Sequence, residues 1–579
     1  MKDFIKYMLA TVCGIILLST LSTIMFFMSF VSMALSSDSG TKLSKHSVYR
    51  INLEGELVEQ TSEDDLTRLI AKASKRDVPE QIGLNDLLRN IRYAKEDKHI
   101  DGILLQGGSL AAGFASREEI RRALLDFKES GKFIVAYADS YSQGNYWLAS
   151  VADKVCLNSR GALSWAGLSS NIMFYSRALE KLGVEMQVVK VGTFKSAVEP
   201  YMLTGMSEPN RLQMSVMLED MWSVVTSDVS ASRGLTMEEL NRLADKNMVF
   251  AEQSELVSCG LIDTLMYQQD IKPMLERLTG TENYKIVSHN AMLGLPDRDK
   301  SRKDKVAVIY AEGEITDDSG EGIVGKDMVK LINKIAKEDE VKAVVLRVNS
   351  PGGSAYASEQ IWHALSLLKE KKPLVVSMGD YAASGGYYIS CVADSIFAEP
   401  TTLTGSIGIF GLIPNVAGLA DKVGIDFDGV GTNRLSLTES NMIYKGMNTE
   451  ERALMQGEIN RGYELFTGRC ADGRRMPKEK IKEIAEGRVW SGKRAMQIGL
   501  VDRMGNLADA VSAAAGLADL DKYEVVDADD SKDGFLDALL EMYGLDDGEQ
   551  ELLREYRRIR RMAEKPSVQA RLPYEIEIR

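Results

Sequence analysis

Two glycine-rich stretches in the second half of the chain hold the residues best suited to chemistry. Asn349-Ser-Pro-Gly-Gly-Ser354 follows the β-branched run Lys342–Val348, and Gly379-Asp-Tyr-Ala-Ala-Ser-Gly-Gly386 follows the run Leu374–Met378. Each run is predicted to be a strand, and each stretch a loop that leads into a helix. Ser384 lies in the second loop with glycines beside it, so a carbonyl group could approach its hydroxyl without steric conflict.

A serine in such a turn suits acyl transfer. The N–H of Gly385, together with an N–H from Gly352 or Gly353, could stabilise a tetrahedral oxyanion, and the dipole of the following helix would add to this effect. The alternative interpretation is a plain turn in which Ser384 only caps a helix. These residues therefore predict a nucleophile and an oxyanion hole but do not by themselves exclude a structural role.

An internal duplication with an offset of roughly 240 residues favours the chemical interpretation. Four motifs recur in the same order: Tyr49–Leu57 as Val306–Ile315, Ala94–Asp97 as Ala336–Asp339, Val151–Asp153 as Val392–Asp394, and Gly260–Asp263 as Gly499–Asp502. When the two halves are aligned on the third motif, Ser384 of the second half corresponds to Gln143 of the first. The first half therefore lacks the serine, which indicates that the second half specialised in chemistry.

Within each half, short β-branched runs alternate with helical periodicity, which predicts βαβ units and mostly parallel sheets. Ligands bind at the carboxyl ends of such strands, where both glycine-rich loops lie. The predicted fold class is α/β, with two tandem duplicated domains. The predicted units are an anchor at 1–37, domains at 38–295 and 306–528, a charged linker at 296–305, and a charged tail at 529–579. The tail is expected to be solvated or to form an oligomer contact.

Composition excludes several classes of protein. The 579-residue chain carries a formal charge of -14 and has a pI near 5.1, which argues against binding nucleic acid. Its five cysteines include no CxxC pair, and its four histidines form no HExxH motif, so neither a structural disulfide nor a zinc site is predicted. A hydrolase with so few histidines needs another base.

The amino-terminal region predicts membrane anchoring. Tyr7–Ser37 contains no charged residue and exceeds the ~20 residues that cross a bilayer. A cleaved signal peptide with a site at Ser32–Ala34 is the alternative, but the apolar run is longer than a typical signal-peptide core. Lys2 and Lys6 precede the run and favour a cytoplasmic amino end, which places the bulk of the chain outside the cytoplasm.

Nearly the whole chain resembles the long form of the signal peptide peptidase A family, also called protease IV, within the ClpP/crotonase-like superfamily. The motifs that carry the resemblance are Asn349–Ser354, Gly379–Tyr388, Leu403-Thr-Gly-Ser-Ile-Gly408 and Gly192-Thr-Phe-Lys-Ser-Ala-Val-Glu-Pro200. The resemblance implies that Ser384 is the nucleophile, that Lys195 of the first half is its general base, and that Ser406 contacts this lysine. Burial among apolar neighbours would give Lys195 the lowered pKa that a base requires. The corresponding position in the second half lies near Arg434, which stays charged and cannot accept a proton.

The resemblance also implies a function. We expect a membrane-anchored serine endopeptidase that degrades remnant signal peptides and similar hydrophobic peptides, needs no metal or organic cofactor, and assembles as a homotetramer. With the anchor, it predicts a single-pass protein of the bacterial inner membrane whose catalytic part faces the periplasm. Two alternatives remain: a crotonase-like acyl-CoA enzyme, which also uses paired backbone N–H groups, and a membrane scaffold without catalytic activity.

Overall fold

The computed structural model describes residues 43–61, 81–295, 302–320 and 322–528, and the backbone of 568–571. Within these ranges no helix is both long and apolar enough to cross a bilayer. The predicted anchor, most of the predicted linker and most of the predicted charged tail lie outside the described residues.

The first half is built on a six-stranded parallel sheet in the order β8-β6-β5-β4-β1-β9. Its strands, with the short pair β2–β3 and the separate β7, are β1 Ser47–Asn52, β2 Glu56–Val58, β3 Gln81–Gly83, β4 Ile100–Gln106, β5 Phe133–Tyr141, β6 Lys154–Leu163, β7 Glu185–Lys190, β8 Thr264–Met266 and β9 Lys285–Ser288. Its helices are α1 Leu84–Glu96, α2 Phe114–Lys128, α3 Gln143–Ala149, α4 Ser176–Leu182, α5 Glu199–Met202, α6 Glu208–Arg233, α7 Met237–Asp245, α8 Gln253–Ser258, α9 Ile271–Thr279 and α10 His289–Leu293.

The second half repeats this plan. Its strands are β10 Lys305–Glu312, β11 Ile315–Thr316, β12 Ile323–Val324, β13 Val341–Ser350, β14 Gly352–Ser354, β15 Leu374–Ala383, β16 Ser395–Ala398, β17 Leu403–Gly405, β18 Phe410–Asn415, β19 Val489–Ser491, β20 Arg503–Met504, β21 Glu524–Ala528 and β22 Val568–Arg571. Its helices are α11 Gly325–Ile335, α12 Ala355–Lys369, α13 Gly385–Ser390, α14 Ala417–Val423, α15 Thr438–Tyr444, α16 Thr449–Arg474, α17 Lys478–Ile484, α18 Gly492–Gln497 and α19 Leu507–Leu517. Strands β21-β10-β13-β15 pair in parallel as β9-β1-β4-β5 do, so the predicted α/β class with mostly parallel sheets is confirmed.

A third sheet joins the two halves. Its order is β12-β11-β14-β22-β18-β7, and β7 of the first half pairs antiparallel with β18 of the second, with Lys190 opposite Phe410. Because β7 ends five residues before Lys195, this pairing places the lysine against residues of the second half. Residues 568–571, expected to be part of a solvated or oligomer-contacting tail, instead form β22 inside this sheet.

A buried ionic cluster also ties the halves together. The guanidinium of Arg347 on β13 lies 2.9 Å from the carboxylate of Glu59 and 2.6 Å from that of Glu119, and all three side chains are buried. Beside this cluster, burial raises the pKa of Glu118 to about 7 and that of Glu399 well above its ordinary value. Buried charges cost free energy unless they are paired, so the interface depends on Arg347.

Candidate active site

Ser384 lies at the turn between β15 and α13. The strand continues to Ala383, five residues beyond the predicted run, so the serine follows the strand directly instead of lying within a long loop. Its backbone has φ 57° and ψ -114°, and its amide donates to the carbonyl of Gly405 at 2.8 Å. Residues other than glycine rarely adopt such a backbone conformation, which is typical of strained functional turns.

This strain predicts a stability difference between two inactive variants. Ser384→Gly removes the Cβ that opposes the positive φ, whereas Ser384→Ala keeps it. We expect the glycine variant to exceed the alanine variant by about 1 kcal/mol in free energy of unfolding. Urea unfolding of both variants measures the difference, and an alanine variant at least as stable as the glycine variant would show that the turn carries no strain.

Lys195 reaches Ser384 from the first half. Its Nζ lies 2.8 Å from Ser384 Oγ, 3.0 Å from the carbonyl oxygen of Ser406 and 3.0 Å from Ser406 Oγ. The side chain is completely buried, and the centroid of the Phe410 ring lies 6.0 Å from Nζ. The structure therefore brings Lys195 of the first half together with Ser384 and Ser406 of the second.

The surroundings of Lys195 favour the neutral amine. Burial lowers its pKa well below the ordinary value, and no carboxylate among the described residues offsets this effect. A neutral amine has two N–H donors and one lone pair, which match the two oxygens of Ser406 and the hydroxyl of Ser384. In the neutral state the lone pair of Nζ can accept a hydrogen bond from the Ser384 hydroxyl, which is the arrangement that a general base requires.

A loop of the second half that contains Glu486 and Gly487 contacts the loop that contains Lys195. Phe194 N–H donates to the carbonyl of Glu486 at 2.9 Å, and Thr193 donates to the carboxylate of Glu486 through both its N–H and its hydroxyl at 2.9 Å. A Cβ on Gly487 would lie 2.6 Å from the Cβ of Lys195, so glycine is required there for close approach. Sequence analysis did not identify this loop.

The repeat itself contained a signal for that loop. Asn247-Met-Val-Phe250 corresponds to Gly487-Arg-Val-Trp490, and Asn247 and Gly487 both have positive φ, at 53° and 73°.

A further residue missed by sequence analysis is Gln213 of α6, which is buried. Its amide nitrogen donates to the Phe194 carbonyl at 3.1 Å and to Ser196 Oγ at 2.8 Å, and its carbonyl accepts from Val489 N–H at 3.3 Å.

The predicted oxyanion donors also meet at this point. A Cβ on Gly385 would lie 3.1 Å from both the Cα of Gly352 and the amide nitrogen of Gly353, so the two loops touch. The amide of Gly352 donates to Ser350 Oγ at 3.2 Å, which makes the amide of Gly353 the better partner for that of Gly385. Ser350 in turn donates to the carbonyl of Gly313 at 2.6 Å and fixes the loop.

The described residues of the first half show no equivalent pair of serine and lysine. Gln143, at the position of Ser384, accepts hydrogen bonds from the amides of Ala166 and Gly167 and donates to the carbonyl of Gly167 at 3.1 Å. Its side chain therefore fills the turn. Arg434, near the position of Lys195, is exposed and pairs with Glu450.

Three of the four histidines have partners away from the serine in the part of the chain that the structure describes. His46 pairs with Asp101, His99 with Asp97, and His289 with Tyr49 and Asn90, so these histidines are engaged elsewhere. Within the described ranges, no group of three or more histidine, cysteine, aspartate or glutamate side chains could hold a metal ion.

Known proteins match the chain over both halves. The profile of Peptidase family S49 matches residues 126–282 and 366–521, and that of Clp protease matches residues 299–402. Protease 4 of Haemophilus influenzae is 34% identical over 521 residues, covering 86% of this chain and 83% of its own length, and Protease 4 of Salmonella typhi is 37% identical over 517 residues, covering 85% and 82%. The chloroplastic serine protease SPPA of Arabidopsis thaliana is 32% identical over 459 residues, covering 76% of this chain and 66% of its own. The chain is therefore a serine protease and belongs to peptidase family S49.

Proposed function

We propose that the chain is a serine endopeptidase whose active site combines Ser384 of the second half with Lys195 of the first. The observation that carries the proposal is the 2.8 Å contact between Nζ and Oγ at a buried amine whose pKa burial lowers. A lysine can act as a base at neutral pH only when its environment disfavours the ammonium form.

The proposed reaction is acyl transfer in two steps. Lys195 takes the proton from Ser384 while Oγ attacks the peptide carbonyl, and the oxyanion accepts hydrogen bonds from the amides of Gly385 and Gly353. The protonated lysine then gives its proton to the leaving amine as the C–N bond breaks. Water attacks the ester, and its proton passes to Lys195 and then to Ser384 Oγ, which restores the starting state.

Ser406 is proposed to orient the lysine. Its carbonyl and hydroxyl both lie 3.0 Å from Nζ, and its amide donates to the carbonyl of Arg488 at 2.7 Å. Two acceptors on one residue direct the N–H groups of the neutral amine away from Ser384. The lone pair then points at the hydroxyl that it must deprotonate.

The proposed substrates are hydrophobic peptides, including the remnants of cleaved signal peptides. Support comes from the resemblance and from the uncharged segment Tyr7–Ser37, which would keep the enzyme at the membrane where such peptides are released. Location in the bacterial inner membrane, with the catalytic part facing the periplasm, and assembly as a homotetramer are proposed on the same grounds.

Cleavage of paired fluorogenic peptides by the full chain in detergent tests this function. One peptide has apolar residues before the scissile bond, and the matched control has glutamates there. We expect turnover of the apolar peptide at neutral pH, resistance to chelators, and much weaker turnover of the acidic one. Turnover that required added metal, or a preference for the acidic peptide, would contradict the proposal.

A further inference from the structure

The tail segment Val568–Arg571 lies between two strands that border the active site. Its backbone pairs antiparallel with β14, placing Arg571 opposite Gly352, Ala570 opposite Gly353 and Gln569 opposite Ser354. On its other side it pairs antiparallel with β18, placing Gln569 opposite Phe410 and Val568 opposite Gly411. The segment is therefore an inner strand of the third sheet, paired along both edges.

Both neighbours of the segment belong to the proposed catalytic apparatus. β14 contains Gly353, the proposed oxyanion donor, and β18 begins four residues after Ser406, which contacts the lysine. A peptide that reaches Ser384 in extended form would use the backbone edges of the same two strands, because unpaired edges are the usual docking sites for extended peptides.

The burial of the nucleophile fits an occupied cleft. Ser384 has no exposed surface, and Gly352 and Gly353 are also buried. A serine that attacks an external peptide must become accessible, so whatever covers it has to move. The segment that pairs with Gly352 and Gly353 lies where such a cover is needed.

The sequence around the segment suits a short, removable strand. Val568-Gln-Ala-Arg571 lies between Pro566 and Pro573, and a proline cannot donate a hydrogen bond to a neighbouring strand. Pairing is thereby limited to a few residues. Thirty-nine residues connect Ala528 to Val568, and tethering makes the pairing intramolecular, so even a weak strand competes with free peptides.

We propose that the cleft between β14 and β18 binds the chain's own segment Val568–Arg571 as an extended strand, in competition with peptide substrates. This inference rests on the proposed function, since it concerns access to the same site. Displacement of the tail strand then precedes substrate binding. Only chains with an open cleft can bind substrate. The apparent affinity therefore equals the affinity of the open cleft multiplied by the fraction of chains in which it is open.

Ala570→Pro in the full chain tests the inference, with Ala570→Val as the matched control. Proline removes the N–H at the centre of the paired segment, whereas valine keeps it and favours strands. We expect Ala570→Pro to lower the KM for the apolar peptide at least about threefold with kcat unchanged. It should raise the rate at which a serine-directed phosphonate phosphonylates Ser384 by a similar factor, while Ala570→Val behaves as wild type.

A second measurement tests the inference if the Ala570→Pro variant is too unstable to assay. The synthetic peptide Pro566–Pro573 should inhibit the wild-type chain competitively, and the same peptide with proline at position 570 should not. Equal KM values and phosphonylation rates in wild type and a folded Ala570→Pro, or no competition by the peptide, would overturn the inference alone. If wild type neither cleaves peptides nor reacts with the phosphonate, the proposed function fails, and the inference fails with it.

Discussion

The Lys195→Met variant is expected to lose about 10³- to 10⁴-fold in kcat/KM for the apolar peptide, because it removes the general base and keeps the apolar stem. Steady-state cleavage at neutral pH measures the effect. Lys181→Met is the matched control, since Lys181 is exposed and should leave turnover unchanged. Lys195→Arg should be as inactive as the methionine variant, because a guanidinium stays protonated.

The same residue sets the expected pH dependence. Burial lowers the pKa of Lys195, so the folded enzyme has a neutral amine above that pKa and loses its base as the pH falls through it. Between the lowered and the ordinary pKa the unfolded chain binds more protons at this lysine, so its contribution to stability rises with pH. A pH profile of kcat/KM without an acidic limb, or a Lys195→Met variant that retained substantial turnover, would remove Lys195 as the base.

The Arg347→Met variant is expected to lose about 3–5 kcal/mol of unfolding free energy, because Glu59 and Glu119 would be left buried without their cation. One oxygen of each carboxylate has no hydrogen-bond partner among the described side chains, so the guanidinium is their principal compensation. The midpoint of the first urea transition at neutral pH measures the loss.

A triple variant separates charge from packing at this site. Arg347→Met combined with Glu59→Gln and Glu119→Gln removes all three charges, and replacing a whole buried ionic group is often close to neutral. We expect the triple variant to recover most of the lost stability. If it were as unstable as Arg347→Met alone, packing and not unpaired charge would explain the loss.

The predicted turn between strand and helix at Ser384 is present in the structure. Ser384 and its glycine neighbours stood out because the turn between strand and helix is encoded by adjacent residues. The end of β15 was placed five residues too early, because Gly379–Ala383 contains residues typical of loops yet pairs with Ser350 and with β17. Burial in a parallel sheet outweighed these local preferences.

Long-range features were less accessible from the sequence. The position of Lys195 depends on pairing between β7 and β18, about 220 residues apart, and the resemblance rather than any local pattern pointed to this lysine. The same reason explains why the loop at Glu486 and the tail strand at Val568–Arg571 were missed. Short strands that pair only with distant segments have no periodicity of their own.

Phosphonate labelling followed by mass spectrometry tests whether a neutral Lys195 activates Ser384. The full chain in detergent is treated with a serine-directed phosphonate at neutral pH, and the adduct is located in the digested protein. We expect a single adduct on Ser384 in the wild type and a phosphonylation rate reduced at least about a thousandfold in Lys195→Met. An adduct on another residue, or equal labelling of Ser384 in both proteins, would contradict it.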